Sequence, residues 1–177
     1  MTNDTALLII DVQKGLIDDA YQHDEVLEHI KLLLAKARAN NKPVIYVQHD
    51  GPKGHGLEVG IDGWQISPVI APQEGEPVVH KRGSDAFHET PLKQVLDQRR
   101  IRHLVVAGGQ TEYCVDTTVR RATTCGYDVT LVSDAHTTYD CETLTADQII
   151  AFYNETLNGF HTGTCNIIVK PTREIVL

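Results

Sequence analysis

The chain alternates short, almost wholly apolar runs with longer stretches in which apolar residues recur every three or four positions. Thr5 to Ile10 is such a run, and it stops at Asp11. It reads as a strand buried on both faces. From Asp24 to Asn40, Val26, Leu27, Ile30, Leu33, Leu34 and Ala37 form one stripe, which predicts an amphipathic helix ending at Asn40-Asn41. Pro43 to Val47 predicts a second buried strand that delivers Gln48-His49-Asp50. Then the pattern dissolves. Six glycines and three prolines interrupt residues 51–75, with Trp64, the only tryptophan, in the middle. Loops of that length in a compact domain are usually lids or binding loops, here with a turn of helix expected around Trp64 to Val69. Further strands are predicted at Pro77–Lys81, His103–Ala107, Asp128–Val132 and Asn166–Val169. Between them fall helices from Thr90-Pro91 to Arg99, from Thr111 to Cys125, and from Thr145 to Asn158. Pro91 suits a first helical position, Thr145-Ala146-Asp147-Gln148 reads as a capping box, and Gly159 marks the last helix's end.

Strands and helices alternate from end to end. That predicts an α/β protein, residues 1–177 forming one three-layer α/β/α domain around a parallel sheet. Ligands in such sheets bind at the carboxyl ends of the strands.

Composition narrows the partners. Sixteen basic residues stand against 24 acidic ones, a formal charge of −8, which argues against a nucleic-acid or anionic-membrane surface. No apolar stretch approaches the roughly 20 residues that cross a bilayer. The first residues have no positively charged leader pattern, so a soluble cytoplasmic protein is expected. The four cysteines, 114, 125, 141 and 165, form no C-x-x-C pair. A small buried hydrophobe is the default for each of Cys125, Cys141 and Cys165.

Cys114 differs. It follows Leu104-Val105-Val106-Ala107-Gly108-Gly109-Gln110-Thr111, a strand that stops at a glycine pair, with Thr111 read as the N-cap of the next helix. The first turn of a helix favours a thiolate over a thiol. If all strands run one way, their ends bring Asp11 and Gln13, then His49, then Lys81, then Cys114, then His136 to one edge. A carboxylate, an ammonium and a thiol together suit nucleophilic catalysis. Lys81 would lower the thiol pKa, and Asp11 would take the thiol proton and return it to a leaving amine. The N–H groups of Gln110 and Cys114 are candidate oxyanion donors, with the glycines permitting the unusual backbone. Trp64 could stack on a planar substrate or simply anchor its loop. Phe87, beyond Lys81, and Tyr113, before the nucleophile, could line the site or pack. Gln13, His49 and His136 are candidate substrate contacts, and each histidine also has a structural reading.

Three blocks, Leu7–Gln13, Val79–Arg82 with Asp85-Ala86-Phe87, and Val106–Val115, resemble in order the catalytic blocks of the isochorismatase-like cysteine hydrolases. That superfamily includes nicotinamidases and N-carbamoylsarcosine amidohydrolases. The resemblance implies a six-stranded parallel sheet in the order 3-2-1-4-5-6 and the triad Asp11, Lys81 and Cys114. It also implies a cis peptide at Gly109–Gln110 and assembly as a dimer or tetramer. Isochorismatases proper cleave a vinyl ether and typically lack the cysteine. Cys114 therefore points to C–N hydrolysis of a small amide, carbamoyl or ureido compound through a thioester. Metal-dependent nicotinamidases carry an Asp-x-His pair after the second strand, whereas this chain has His49-Asp50-Gly51-Pro52, and His55 stands at the wrong spacing. No metal and no other cofactor is expected. The alternatives are an isochorismatase-type ether hydrolase and an inactive binding module on the same scaffold.

Overall fold

In the computed structural model, which describes residues 4–177, the strand Thr5–Ile10 (β1) lies in the middle of the sheet. It pairs in parallel with β2 (Val44–His49) on one side and with β4 (His103–Gly109) on the other. β3 (Val78–Lys81) extends the sheet beyond β2, and β5 (Asp128–Thr137) extends it beyond β4. The continuous apolar runs are explained by what covers the two faces. Ala6, Leu8 and Ile10 point into one core, Leu7 and Ile9 into the other, and all five are fully buried. The first core receives α3 (Leu92–Gln98), α4 (Asp116–Thr124) and α5 (Ala146–Leu157), through residues such as Leu96, Val119 and Leu157. The helix His23–Ala39 covers the second face with its whole apolar stripe, Val26 through Ala37. Its end is set by Asn41 at φ 53°, a left-handed conformation that Asn tolerates.

The sheet has seven strands rather than six. Its order is β3-β2-β1-β4-β5-β7-β6, where β6 is His161–Thr162 and β7 is Cys165–Lys170. The six parallel strands keep the expected order. The extra strand is a two-residue antiparallel hairpin arm, turned by Gly163 and Thr164. Two polar residues carry no periodicity, so the sequence could not announce it. The helix Thr145–Asn158 has both arms of its capping box in place. A single turn, Lys14–Ile17, follows β1. By chain position it is α1 and His23–Ala39 is α2. Among the described residues no helix is long and apolar enough to cross a membrane.

β5 runs five residues past its predicted end. Its pairing with β4 jumps from Val106↔Leu131 to Gly108↔His136, a bulge in which β5 takes up the extra residues. Its polar extension is satisfied from far away. Asp134 Oδ1 accepts from the backbone N–H and the hydroxyl of Thr172, and Thr137 donates to Tyr21 O.

Candidate active site

Asp11, Lys81 and Cys114 meet at the carboxyl edge of the sheet, as the strand directions require. Asp11 takes φ 52° immediately after β1, a left-handed turn for a side chain that can tolerate it. Lys81 closes β3, and its strand alternation turns it inward while His80 faces out. Lys81 Nζ lies 2.6 Å from Asp11 Oδ2 and 3.1 Å from Cys114 Sγ. It also donates to Gly83 O at 2.9 Å and stands 3.2 Å from His49 Nδ1. Asp11 is completely buried, and Lys81 and Cys114 are nearly so. Both Asp11 carboxylate oxygens are buried, with the Lys81 ion pair to Oδ2 their one close charged contact among the described residues.

The turn that carries Cys114 is not the ordinary helix start the sequence suggested. Thr111–Val115 is a π-helical turn that leads into α4. Gln110 O accepts from Val115 at 3.1 Å and Tyr113 at 3.3 Å, skipping Cys114. Such wide turns are frequent at functional sites. Thr111 does not cap it. Gln110 occupies the cap position, and the Thr111 hydroxyl is engaged with His136 Nδ1 at 2.9 Å. The Gly109–Gln110 peptide is cis.

Electrostatics correct a second expectation. Proximity to Lys81 does not make Cys114 a resting thiolate. Burial, then the Asp11 charge, push its pKa up to about 12 against the opposing pull of Lys81. Burial also raises Asp11 above the usual carboxylate range, again against Lys81. Both anionic forms are costly, and one ammonium serves both. The His49 imidazole is held below its usual range by burial and by Lys81.

The remaining candidates divide. The side-chain amide of Gln13 is fully buried and clamps backbone: it accepts from His49 N at 2.8 Å and donates to His49 O at 3.0 Å and Trp64 O at 2.8 Å. Gln48 donates to the same Trp64 carbonyl at 2.8 Å. Gln13 is thus spent as a tie between strand and loop, a use invisible in sequence. The Trp64 indole donates to Asp50 at 2.9 Å and stacks on His80 at 5.8 Å, so it pins the loop down. Phe87 packs against the core and stacks on Tyr127 at 5.8 Å. His136 is buried, with its two ring nitrogens engaged by Thr111 and Asn154. Tyr113 is exposed on the nucleophile's own turn. Of the other cysteines, Cys165 is buried, Cys125 is half-buried and Cys141 is exposed, so the small-hydrophobe default fails for Cys141. Its thiol pKa is lowered, chiefly by hydrogen bonds from Thr143. The predicted helix turn in the loop is two short 3₁₀ turns, Asp62–Trp64 and Pro68–Ile70.

Asp11, His49 and Cys114 each offer a donor atom within 4.8 Å of the others, the spacing of a metal site. The Lys81 ammonium, however, contacts all three. A divalent cation there would stand against that ammonium, so the donor set does not fit a metal.

A nucleophile-type thiol, a buried carboxylate and a shared ammonium on a parallel sheet edge define a cysteine-hydrolase site. The isochorismatase domain model matches residues 5–154, and the chain belongs to the isochorismatase-like cysteine hydrolase superfamily. A streptothricin hydrolase of Streptomyces noursei is 37% identical across 76% of this chain. The chain spans only about half (50%) of that relative's length. A ureidoacrylate amidohydrolase of Klebsiella pneumoniae is 29% identical across 88% of this chain and 82% of its own. The crystal structure of an isochorismatase from Pseudomonas putida superposes with a TM-score of 0.90 at 32% identity, covering 98% of this chain and 91% of that one.

Proposed function

We propose that the protein is a metal-independent hydrolase of a carbon–nitrogen bond in a small amide, carbamoyl or ureido compound, working through a Cys114 thioester. The observation that carries this is the position of Lys81 Nζ, in contact with Asp11 at 2.6 Å and with the Cys114 sulfur at 3.1 Å. In the first step the thiol proton passes to Asp11 as sulfur attacks the carbonyl carbon. The negative charge moves from carboxylate to sulfur and stays beside Lys81 throughout. The raised thiol pKa of about 12 does not oblige Cys114 to ionise to solvent, because its proton passes directly to a carboxylate whose own pKa is raised. The N–H groups of Gln110 and Cys114 take the oxyanion. Asp11 then protonates the departing ammonia or amine. Water, deprotonated by Asp11, cleaves the thioester and releases the acid, and the thiol is restored.

A polar hollow lies on the outer side of β3, and its lining includes neither Asp11 nor Cys114. It measures about 280 Å³ and is lined by Asp50, His80, Arg82, His88 and Glu89 together with Lys81 and Gly83. A screen of small amides and ureido compounds for ammonia release, scored against Cys114→Ala, tests the reading. Ammonia release that survives in Cys114→Ala would overturn the thioester mechanism. Loss in both Cys114→Ser and Asp11→Asn is expected.

A further inference from the structure

We infer that His49 is a positioning residue for the nucleophile: while Cys114 is a thiol, the His49 ring accepts a Lys81 proton that sulfur takes over when the thiolate forms. The inference rests on the reading of Cys114 as the reactive group. β2 and β3 run parallel with His49 opposite Lys81, which places both side chains on the same face of the sheet. Four acceptors surround the ammonium: Asp11 Oδ2 at 2.6 Å, Gly83 O at 2.9 Å, Cys114 Sγ at 3.1 Å and His49 Nδ1 at 3.2 Å. A lysine ammonium has three protons. Asp11 and Gly83 hold two, so sulfur and imidazole compete for the third. A thiol sulfur is a weak acceptor and an imidazole nitrogen a good one, so the thiol state assigns that proton to His49. A thiolate makes a charge-assisted bond and reverses the order.

The assignment fixes the ring. Nδ1 accepts, so Nε2 carries the hydrogen, and neither nitrogen is free to take the Cys114 proton. His49 is therefore not the base of a Cys–His pair, and Asp11 keeps that role. The charged and titratable groups around the ring agree. Lys81 from β3 opposes its protonation, Asp11 after β1 and Asp50 after β2 favour it, His55 opposes it, and burial outweighs them. The neutral ring holds Lys81 in readiness and keeps the empty enzyme's sulfur protonated.

The test is the rate of Cys114 alkylation by iodoacetamide as a function of pH in the full chain. It is followed peptide by peptide by mass spectrometry, because Cys141 is exposed and will also react. His49→Leu and His49→Phe remove the acceptor, the second while keeping a ring, and thermal melting shows which of them folds. Without the acceptor only sulfur is left for the third proton. The apparent pKa of Cys114 is expected to fall by about one unit, with labelling at neutral pH roughly tenfold faster. His49→Asn, whose Oδ1 stands near the Nδ1 position, is expected to restore the wild-type profile. An unchanged or raised pKa in the apolar variants, or the same fall in His49→Asn, would overturn the inference. No amide is turned over in this experiment. A failed substrate screen therefore speaks against the proposed function alone, and an unmoved pKa against His49 alone.

Discussion

Lys81 Nζ and Asp11 Oδ2 stand 2.6 Å apart with both side chains wholly removed from solvent. Removing one partner of such a pair strands the other's charge. Lys81→Met is therefore expected to destabilise the fold by about 3–5 kcal/mol. The double variant Asp11→Asn/Lys81→Met should lose less than the two single variants added together, because no charge is left alone. Urea unfolding of the four proteins measures this. A double variant as unstable as the sum would mean that the pair is not coupled.

Cys114 gives stability a pH dependence on the alkaline side. Its ordinary pKa is 9.0 and burial, with the Asp11 charge, pushes it up to about 12. Between those values the unfolded chain releases a proton that the folded chain retains. Stability then falls as pH rises, by up to about 1.4 kcal/mol per pH unit from this group. Tyr46 and Tyr127 are also raised, so the quantity to measure is the difference between wild type and Cys114→Ala. That difference should change between pH 9 and 11 and be flat between 6 and 8.

Asp11 sets the acid side of activity. The carboxylate must be ionised to accept the thiol proton, and burial raises its pKa from 3.8. The acid limb of kcat/KM should accordingly lie above the usual aspartate range. The same shift means that Asp11 contributes stability below pH 3.8 and that this is lost as pH rises through its folded pKa. Asp11→Asn should abolish turnover and remove that loss. An acid limb that survives in a still-active Asp11→Asn would assign it to another group.

Gly108 admits no side chain. It has φ 134°, and an added Cβ would lie 2.0 Å from Ile10 O on the neighbouring strand. Gly108→Ala should cost several kcal/mol or prevent folding, since β1 and β4 would have to part where Ile10 pairs with Gly108. Gly56→Ala, where an added Cβ meets nothing within 4 Å, is the control and should change the melting temperature little.

Gln13→Ala should loosen the long loop. The variant leaves the carbonyl of His49 short of one donor and that of Trp64 of one of two. A loss of about 1–3 kcal/mol is expected. Limited proteolysis should cut within residues 51–75 sooner. Protection equal to wild type would show that Gln48 and the Trp64 ring hold the loop alone.

The fold was legible wherever burial was apolar. The runs at Thr5–Ile10 and His103–Ala107, and the stripe from Val26 to Ala37, predicted their elements to within a few residues. The reading failed where polar residues are buried by distant partners. Ser133 to Thr137 looks like a loop in sequence because its Asp, His and Thr have no local use. Thr172, Asn154, Thr111 and Tyr21 supply that use, and the strand continues. Thr111 looked like a cap for the same reason, since the His136 that occupies its hydroxyl is 25 residues away. Asp11, Lys81 and Cys114 were legible as a cluster because each ends a recognisable strand or opens the turn after one. The protonation of Cys114 was not, because burial outweighs the nearby ammonium and depth is not written in spacing.

The Trp64 carbonyl, held at 2.8 Å by both Gln13 and Gln48, ties the loop to β2 and to the segment that follows β1. Gln48 reaches it only because Ile10 stands opposite Val47 in the β1–β2 pairing. Sliding β2 by one residue would send Gln48 to the other face and carry His49 away from Lys81. The knot at Trp64 can thus be tied only on a correctly registered sheet. The loop's anchorage and the alignment of the strands that deliver the reactive groups therefore depend on one and the same register.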